Sequence, residues 1–176
     1  MLAQDGKISA AVEKFKQALA IDSRFKLNNL EVYAQGLAAL AFLDKGVELA
    51  EKGKIDTALT KFQAAQELKT DLKIDAYQWN TLCQSGIVYG QAVQVIAACE
   101  KAVALKPNNW EYLHNRGIAN ALLGKMACAI DDLQQAANLL FFKMDEEENY
   151  QLVQGWVDTL QAGNNPFTKE VLEKLR

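Results

Sequence analysis

The sequence predicts an all-α protein, an α-solenoid of antiparallel helix pairs with a C-terminal capping helix. Three observations carry that prediction. Residues 76–109 and 110–143 are consecutive 34-residue units: Gly90 is followed by Val95, Cys99, Ala102 and Leu105, and Gly124 by Ala129, Leu133, Ala136 and Leu139, at identical gaps. A period of this length marks a helical repeat array, in which one unit cannot bury its apolar face alone and stacking builds the core. Two more glycines open the same register, Gly6 before Ala11, Phe15, Ala18 and Ile21, and Gly53 before Ala58, Phe62, Ala65 and Leu68. Between these registers apolar residues recur at spacings of three and four, the period of an amphipathic helix.

Composition bounds the function. Half of the residues are apolar (50%) and 23% are charged, the balance of a chain that folds. Lys and Arg total 19 against 22 Asp and Glu, a net charge of −3, so no global positive field exists to draw a phosphate backbone and nucleic acid is not an expected partner. The stretch Gly36 to Leu43 is free of strongly polar residues but falls well short of the roughly 20 that a spanning helix needs. Asp5 interrupts a signal-peptide reading. The expectation is no membrane association and a cytoplasmic location. Cys83, Cys99 and Cys128 are an odd count without C-x-x-C spacing, which argues against disulfides or zinc and for free thiols packed as small core residues in a reducing compartment.

Taken in order, the whole of 1–176 reads as a single domain. Residues 1–25 hold the second helix of a truncated repeat, Lys7 to Ala20, with its first helix represented only by Met1 to Gln4. The missing partner is expected upstream of Met1; the alternative is that this open N-terminal helix mediates homo-oligomerisation. In residues 26–72, Gly53 lies 47 residues after Gly6, 13 more than the period. Asn28 and Glu31 form a capping box, and Leu30, Tyr33, Leu37, Leu40, Leu43 and Val47 continue one stripe, so the insertion reads as an elongated first helix. Gly36 and Gly46 each cost that helix about 1 kcal/mol of propensity, and a bend at Gly36 is the alternative.

Asp75 caps the helix that opens residues 76–109, and Pro107 closes that unit. Asn108 and Glu111 form a capping box for the unit at 110–143, where Gly117 takes a close-packing position and Gly124 turns into the second helix. In residues 144–176, Asp145 with Glu148 caps a helix whose Tyr150, Val153, Trp156, Val157 and Leu160 form one apolar stripe. Its other face, Gln151, Gln154, Asp158 and Gln161, suits a terminal helix that ends a solenoid in water. Gly163 and the Asn164, Asn165, Pro166 run stop it, Thr168 caps a last short helix, and Phe167 is placed to staple onto Leu172.

With these residues in place the chain resembles tetratricopeptide repeat proteins over roughly residues 1–143. Trp79 and Leu82 match the opening W-x2-L-G of that pattern, with Cys83 where glycine is usual. The A-x3-F element stands intact as Ala11 to Phe15 and Ala58 to Phe62, and weakened as Ala129 to Leu133. The third unit departs furthest, with Val95 to Cys99, and with Gly86 where an aromatic is usual, and abnormal packing is expected there. Trp79 to Cys83, Cys99 to Pro107, Arg116 to Gly117 and Gly155 to Thr168 are also similar to C-terminal repeat segments of large bacterial multidomain signalling proteins.

The resemblance implies a right-handed superhelix whose first helices line a concave groove that holds a partner peptide or helix. Its candidates here are Leu43, Asp44 and Val47, then Tyr77, Asn80, Gln84 and Ile87, then Glu111, His114, Asn115 and Ile118. Asn and Gln can each donate and accept, so Asn80, Gln84 and Asn115 suit a peptide backbone. No inward basic cluster stands among them, and a clamp for a C-terminal carboxylate is not expected.

Nothing in the sequence assembles catalysis. His114 is the single histidine and has neither Cys nor a Ser/Asp pair at a recognised spacing, no phosphate loop is present, and no metal-ligand cluster stands outside the helix-capping acids. The expectation is a protein-binding module without cofactor, part of a larger protein; a structural or oligomerisation scaffold of a signalling chain is the alternative.

Overall fold

The structure is a computed structural model that describes residues 8–21, 30–143 and 146–176. Among the described residues it is all-α, with α1 (Ile8–Ile21), α2 (Leu30–Glu51), α3 (Ile55–Leu68), α4 (Ala76–Val88), α5 (Ala92–Leu105), α6 (Trp110–Leu122), α7 (Met126–Phe141), α8 (Glu147–Gln161) and α9 (Lys169–Lys174). From α4 to α8 each helix packs on the next, as the pairs of an α-solenoid that α8 caps. None of the described helices is long and apolar enough to cross a membrane. Packing divides the chain into two compact units, Met1–Leu49 with Asp56–Lys73, and Ala50–Ile55 with Ile74–Arg176.

The first unit holds α1 and most of α2 and α3. Ala11 of α1 is buried against Ala34 of α2, with Val12 and Leu37 packed around them. Methyl-sized side chains at the crossing let two helices approach closely, which is what the small residues of the repeat register supply. α2 runs unbroken over 22 residues. The turn at Gly6 and the Asn28 cap fall outside the described residues.

In the second unit, α4 opens as its sequence dictates: Asp75 accepts from the Gln78 amide at 2.8 Å while the Gln78 side chain accepts from the Asp75 amide at 3.1 Å. The cap of α6 is shifted by one residue from the sequence reading. Asn109 accepts from the amides of Glu111 and Tyr112 (3.0 and 3.2 Å), because the residue directly before the first helical turn is the one whose side chain reaches those orphan donors. The Asp145 cap falls outside the described residues. Thr168 caps α9, and Phe167 and Leu172 are both buried.

The repeat is visible in the backbone. Gly53, Gly90 and Gly124 adopt φ of 73°, 71° and 74°, a left-handed conformation that glycine enters without steric cost, and each turns one helix into the next. Register residues Ala58, Phe62 and Ala65, then Val95, Cys99 and Ala102, then Ala129, Leu133 and Ala136 are all buried. The fourth register position is not part of the core: Leu105 is 54% exposed.

One correction concerns the cysteines. Cys83 of α4 and Cys99 of α5 form a disulfide, 16 residues apart with Cα atoms at 4.9 Å, and Cys128 is exposed and free. An odd count of cysteines leaves one thiol over without forbidding a pair. The pair occupies a defined place in the repeat. Gly46 and Phe62 in α2 and α3, and Gly117 and Leu133 in α6 and α7, have the same separation, and at each the glycine leaves no room for a side chain against its neighbour. A Cβ added at Gly46 would meet Phe62 Cδ2 at 2.6 Å, and one at Gly117 would meet Leu133 Cγ at 2.8 Å. In the third unit a covalent bond replaces the glycine-to-large contact. The close approach has moved one helical turn along, where a Cβ at Gly86 would lie 2.3 Å from Val95 Cγ1.

Candidate functional groove

A groove of about 350 Å³ runs along α4 in the second unit. Its floor is a helical stripe, Tyr77, Thr81, Gln84, Ser85 and Val88, ending at Tyr89; Glu111 of α6 and Glu51 at the end of α2 contribute carboxylates, and Leu175 and Arg176 close one end. Four sequence candidates, Tyr77, Asn80, Gln84 and Glu111, come together here.

Asn80 and Asn115 are nearly sealed, at 2% and 3% exposure. Asn115 donates to Asn80 Oδ1 at 2.9 Å, Asn80 donates to Glu111 Oε1 at 3.4 Å, and Asn115 Oδ1 lies 3.2 Å from His114 Nδ1. A buried amide without a partner costs about 1–3 kcal/mol, so the two asparagines satisfy each other and tie α4 to α6 rather than meeting a peptide backbone. Asn80 still reaches the groove wall, where it positions the Glu111 carboxylate.

Other candidates are corrected by their burial. Ile87 and Ile118 are core residues at 1% exposure, since a stripe advanced by three from Gln84 turns inward whereas Val88, advanced by four, stays on the open face. His114 packs away from the groove, edge-on to Trp110 (6.0 Å between centroids) and stacked on Trp156 of α8 (5.3 Å). Burial between those rings pushes its pKa down to about 4, against the opposing pull of the Asn115 hydrogen bond, so the ring is neutral at pH 7. Leu43, Asp44 and Val47 belong to the first unit; Leu43 is buried there, Val47 is half-buried and Asp44 is exposed.

The sequence reading missed Thr81, Ser85, Val88, Tyr89, Glu51, Leu175 and Arg176. Thr81 and Ser85 follow from steps of four from Tyr77, and Val88 from a step of four from Gln84. Tyr89 carries a different signal: its hydroxyl donates to the Glu51 carbonyl at 3.2 Å, and its ring lies where a Cβ at Gly53 would sit, 2.5 Å from Cε1. Leu175 and Arg176 are placed by α9 packing on α4, with the Arg176 guanidinium 4.0 Å above the Tyr89 ring.

Behind the groove, Arg116 makes a forked ion pair with buried Asp132 of α7, 2.9 Å from Nε and 2.5 Å from the terminal nitrogen, and Asn120 adds a third donor at 3.0 Å. The Asp132 hydrogen bond raises the Arg116 pKa against desolvation. Both charges are spent on holding α6 to α7.

The chain is thus an all-α protein of stacked helix pairs with an open polar groove. No protein-family profile matches it. It is 35% identical over 95 residues to the mitochondrial import receptor subunit TOM70 of two strains of Saccharomyces cerevisiae, a match covering 54% of this chain and 15% of that protein. The match and the helical architecture are compatible with a tetratricopeptide repeat. Nothing in the comparisons supports an origin in a bacterial signalling protein.

Proposed function

We propose that this chain is a protein-interaction module that holds an extended peptide or helix of a partner in the α4/α6 groove. The observation that carries the reading is the groove itself: Tyr77 and Gln84 project from one open face beside Glu111, on helices locked by a disulfide and a buried amide pair. Such rigidity lowers the ordering cost of binding. The partially matching relative is named a receptor, which supports a binding role and not an enzymatic one. The cytoplasmic expectation drew on unpaired cysteines, and the Cys83–Cys99 bond removes that support.

The test places a photo-crosslinking residue at Gln84 and, separately, at exposed Gln94 on α5. The expected result is partner capture from Gln84 alone, with Tyr77→Ala weakening the captured complex about tenfold, the loss of one well-placed aromatic anchor. Equal capture from both positions would overturn the groove assignment. An Asn80→Ala, Asn115→Ala pair is a poor probe, because it removes the buried bond between α4 and α6.

A further inference from the structure

The groove carries a charge pattern that points to its occupant. Its lining includes two acidic residues, Glu51 and Glu111, and two tyrosines, Tyr77 and Tyr89, together with residues bearing amide and hydroxyl groups. Among the described residues that line it the sole cation is Arg176, which arrives from the segment after α9 and lies on the Tyr89 ring at 4.0 Å. Beyond Tyr89 a second hollow is lined by Lys169, Glu173 and Arg176, but Lys169 faces Glu173 at 3.8 Å, so that side offsets its own charge. Tyr89 is fixed in place by its hydroxyl bond to the Glu51 carbonyl and by Gly53 beneath its ring. It presents a pre-set platform for a planar cation, and such platforms favour arginine because the guanidinium stacks while remaining free to hydrogen-bond.

Resting on the groove reading above, we propose that the groove selects a partner segment bearing arginine, whose guanidinium takes the place on Tyr89 that Arg176 holds, and that the segment after α9 is a built-in competitor for that place. Arg176 is exposed and held at its tip, whereas α9 is anchored separately by buried Leu172. The tip can therefore leave without unpacking the helix. A tethered competitor works at high effective concentration, so it sets a threshold that weak basic ligands do not pass.

The experiment uses the full chain and fluorescence anisotropy with a labelled Gly/Ser-rich peptide carrying two arginines, and counterparts in which citrulline or glutamate replaces them. The arginine peptide is expected to bind tightest and the glutamate peptide weakest. Arg176→Ala is expected to tighten the arginine peptide about fivefold, the order set by one cation–π contact with an exposed charge pair. Tyr89→Leu is expected to abolish the preference for arginine over citrulline. If the three peptides bind alike, or Arg176→Ala leaves affinity unchanged, while Tyr77→Ala still weakens binding, the inference fails and the groove reading stands. If none binds Arg176→Ala protein, the inference fails while capture from Gln84 still decides the groove reading; if binding ignores Tyr77→Ala and capture from Gln84 equals that from Gln94, both fail together.

Discussion

His114 shows how far a single residue can depart from its sequence-level reading. As the single histidine on a first helix it looks like a polar groove residue, yet its ring fills the seam between Trp110 and Trp156. Its protonated form is disfavoured there, with the pKa near 4 against an ordinary 6.5. The unfolded chain therefore takes up a proton below pH 6.5 that the folded chain refuses, and the stability tied to the neutral ring is whole above that pH and lost as pH falls toward 4. The loss amounts to at most about 3 kcal/mol. Urea unfolding from pH 7 to pH 4 is expected to lose stability more steeply in the native chain than in His114→Gln. The ring resonances, unambiguous for one histidine, are expected to titrate well below pH 6. Tyr77, Gln84 and Glu111 were named from the resemblance to tetratricopeptide repeats, and all three line the groove. Burial was not legible, because whether Asn80 and Asn115 face water or each other depends on how α4 meets α6, 35 residues apart in sequence.

Helix α2 puts two glycines of equal propensity cost in different surroundings. At Gly36 the nearest atom to an added Cβ is Lys69 Cδ at 4.0 Å, the flexible stem of a side chain. At Gly46 the Phe62 ring stands at 2.6 Å and the Ala58 carbonyl oxygen at 3.3 Å. Gly36→Ala is expected to stabilise the protein by about 0.5–1 kcal/mol, since it adds helix propensity and restricts the unfolded chain at no steric cost. Gly46→Ala is expected to destabilise it by about 1–3 kcal/mol, because the α2 and α3 backbones must part to admit the methyl group. Urea midpoints of the two variants, read by circular dichroism, are expected to move in opposite directions. The sequence placed Gly46 sixteen residues before Phe62, the spacing of Gly117 to Leu133 and of Cys83 to Cys99. That shared spacing was the legible sign of the disulfide. The cysteine count concealed it, because parity says nothing of which positions face each other across a repeat.

Across the whole chain the period was readable because close packing of helix pairs demands small residues at fixed places, and Gly53, Gly90 and Gly124 then repeat one backbone conformation within 3°. The path of the segment after α9 was not readable, since no periodic constraint governs where a six-residue helix docks. Nor did the period foretell that the chain divides into two compact units, at Leu49 and at Lys73. Stability in a stacked array is approximately a sum of unit and nearest-neighbour terms, so a local loss is felt mainly where it occurs. The Cys83–Cys99 bond closes its loop within the second unit, and cross-linking a loop of this size is worth about 3 kcal/mol. Replacing both cysteines by serine is therefore expected to lower amide-exchange protection in α4 through α7, by roughly two orders of magnitude at the slowest sites. Protection of Ala34, Ala38 and Ala58 in the first unit is expected to change far less. Equal loss throughout would show that the two units unfold as one, and the disulfide would then stabilise the entire array rather than the half that carries the groove.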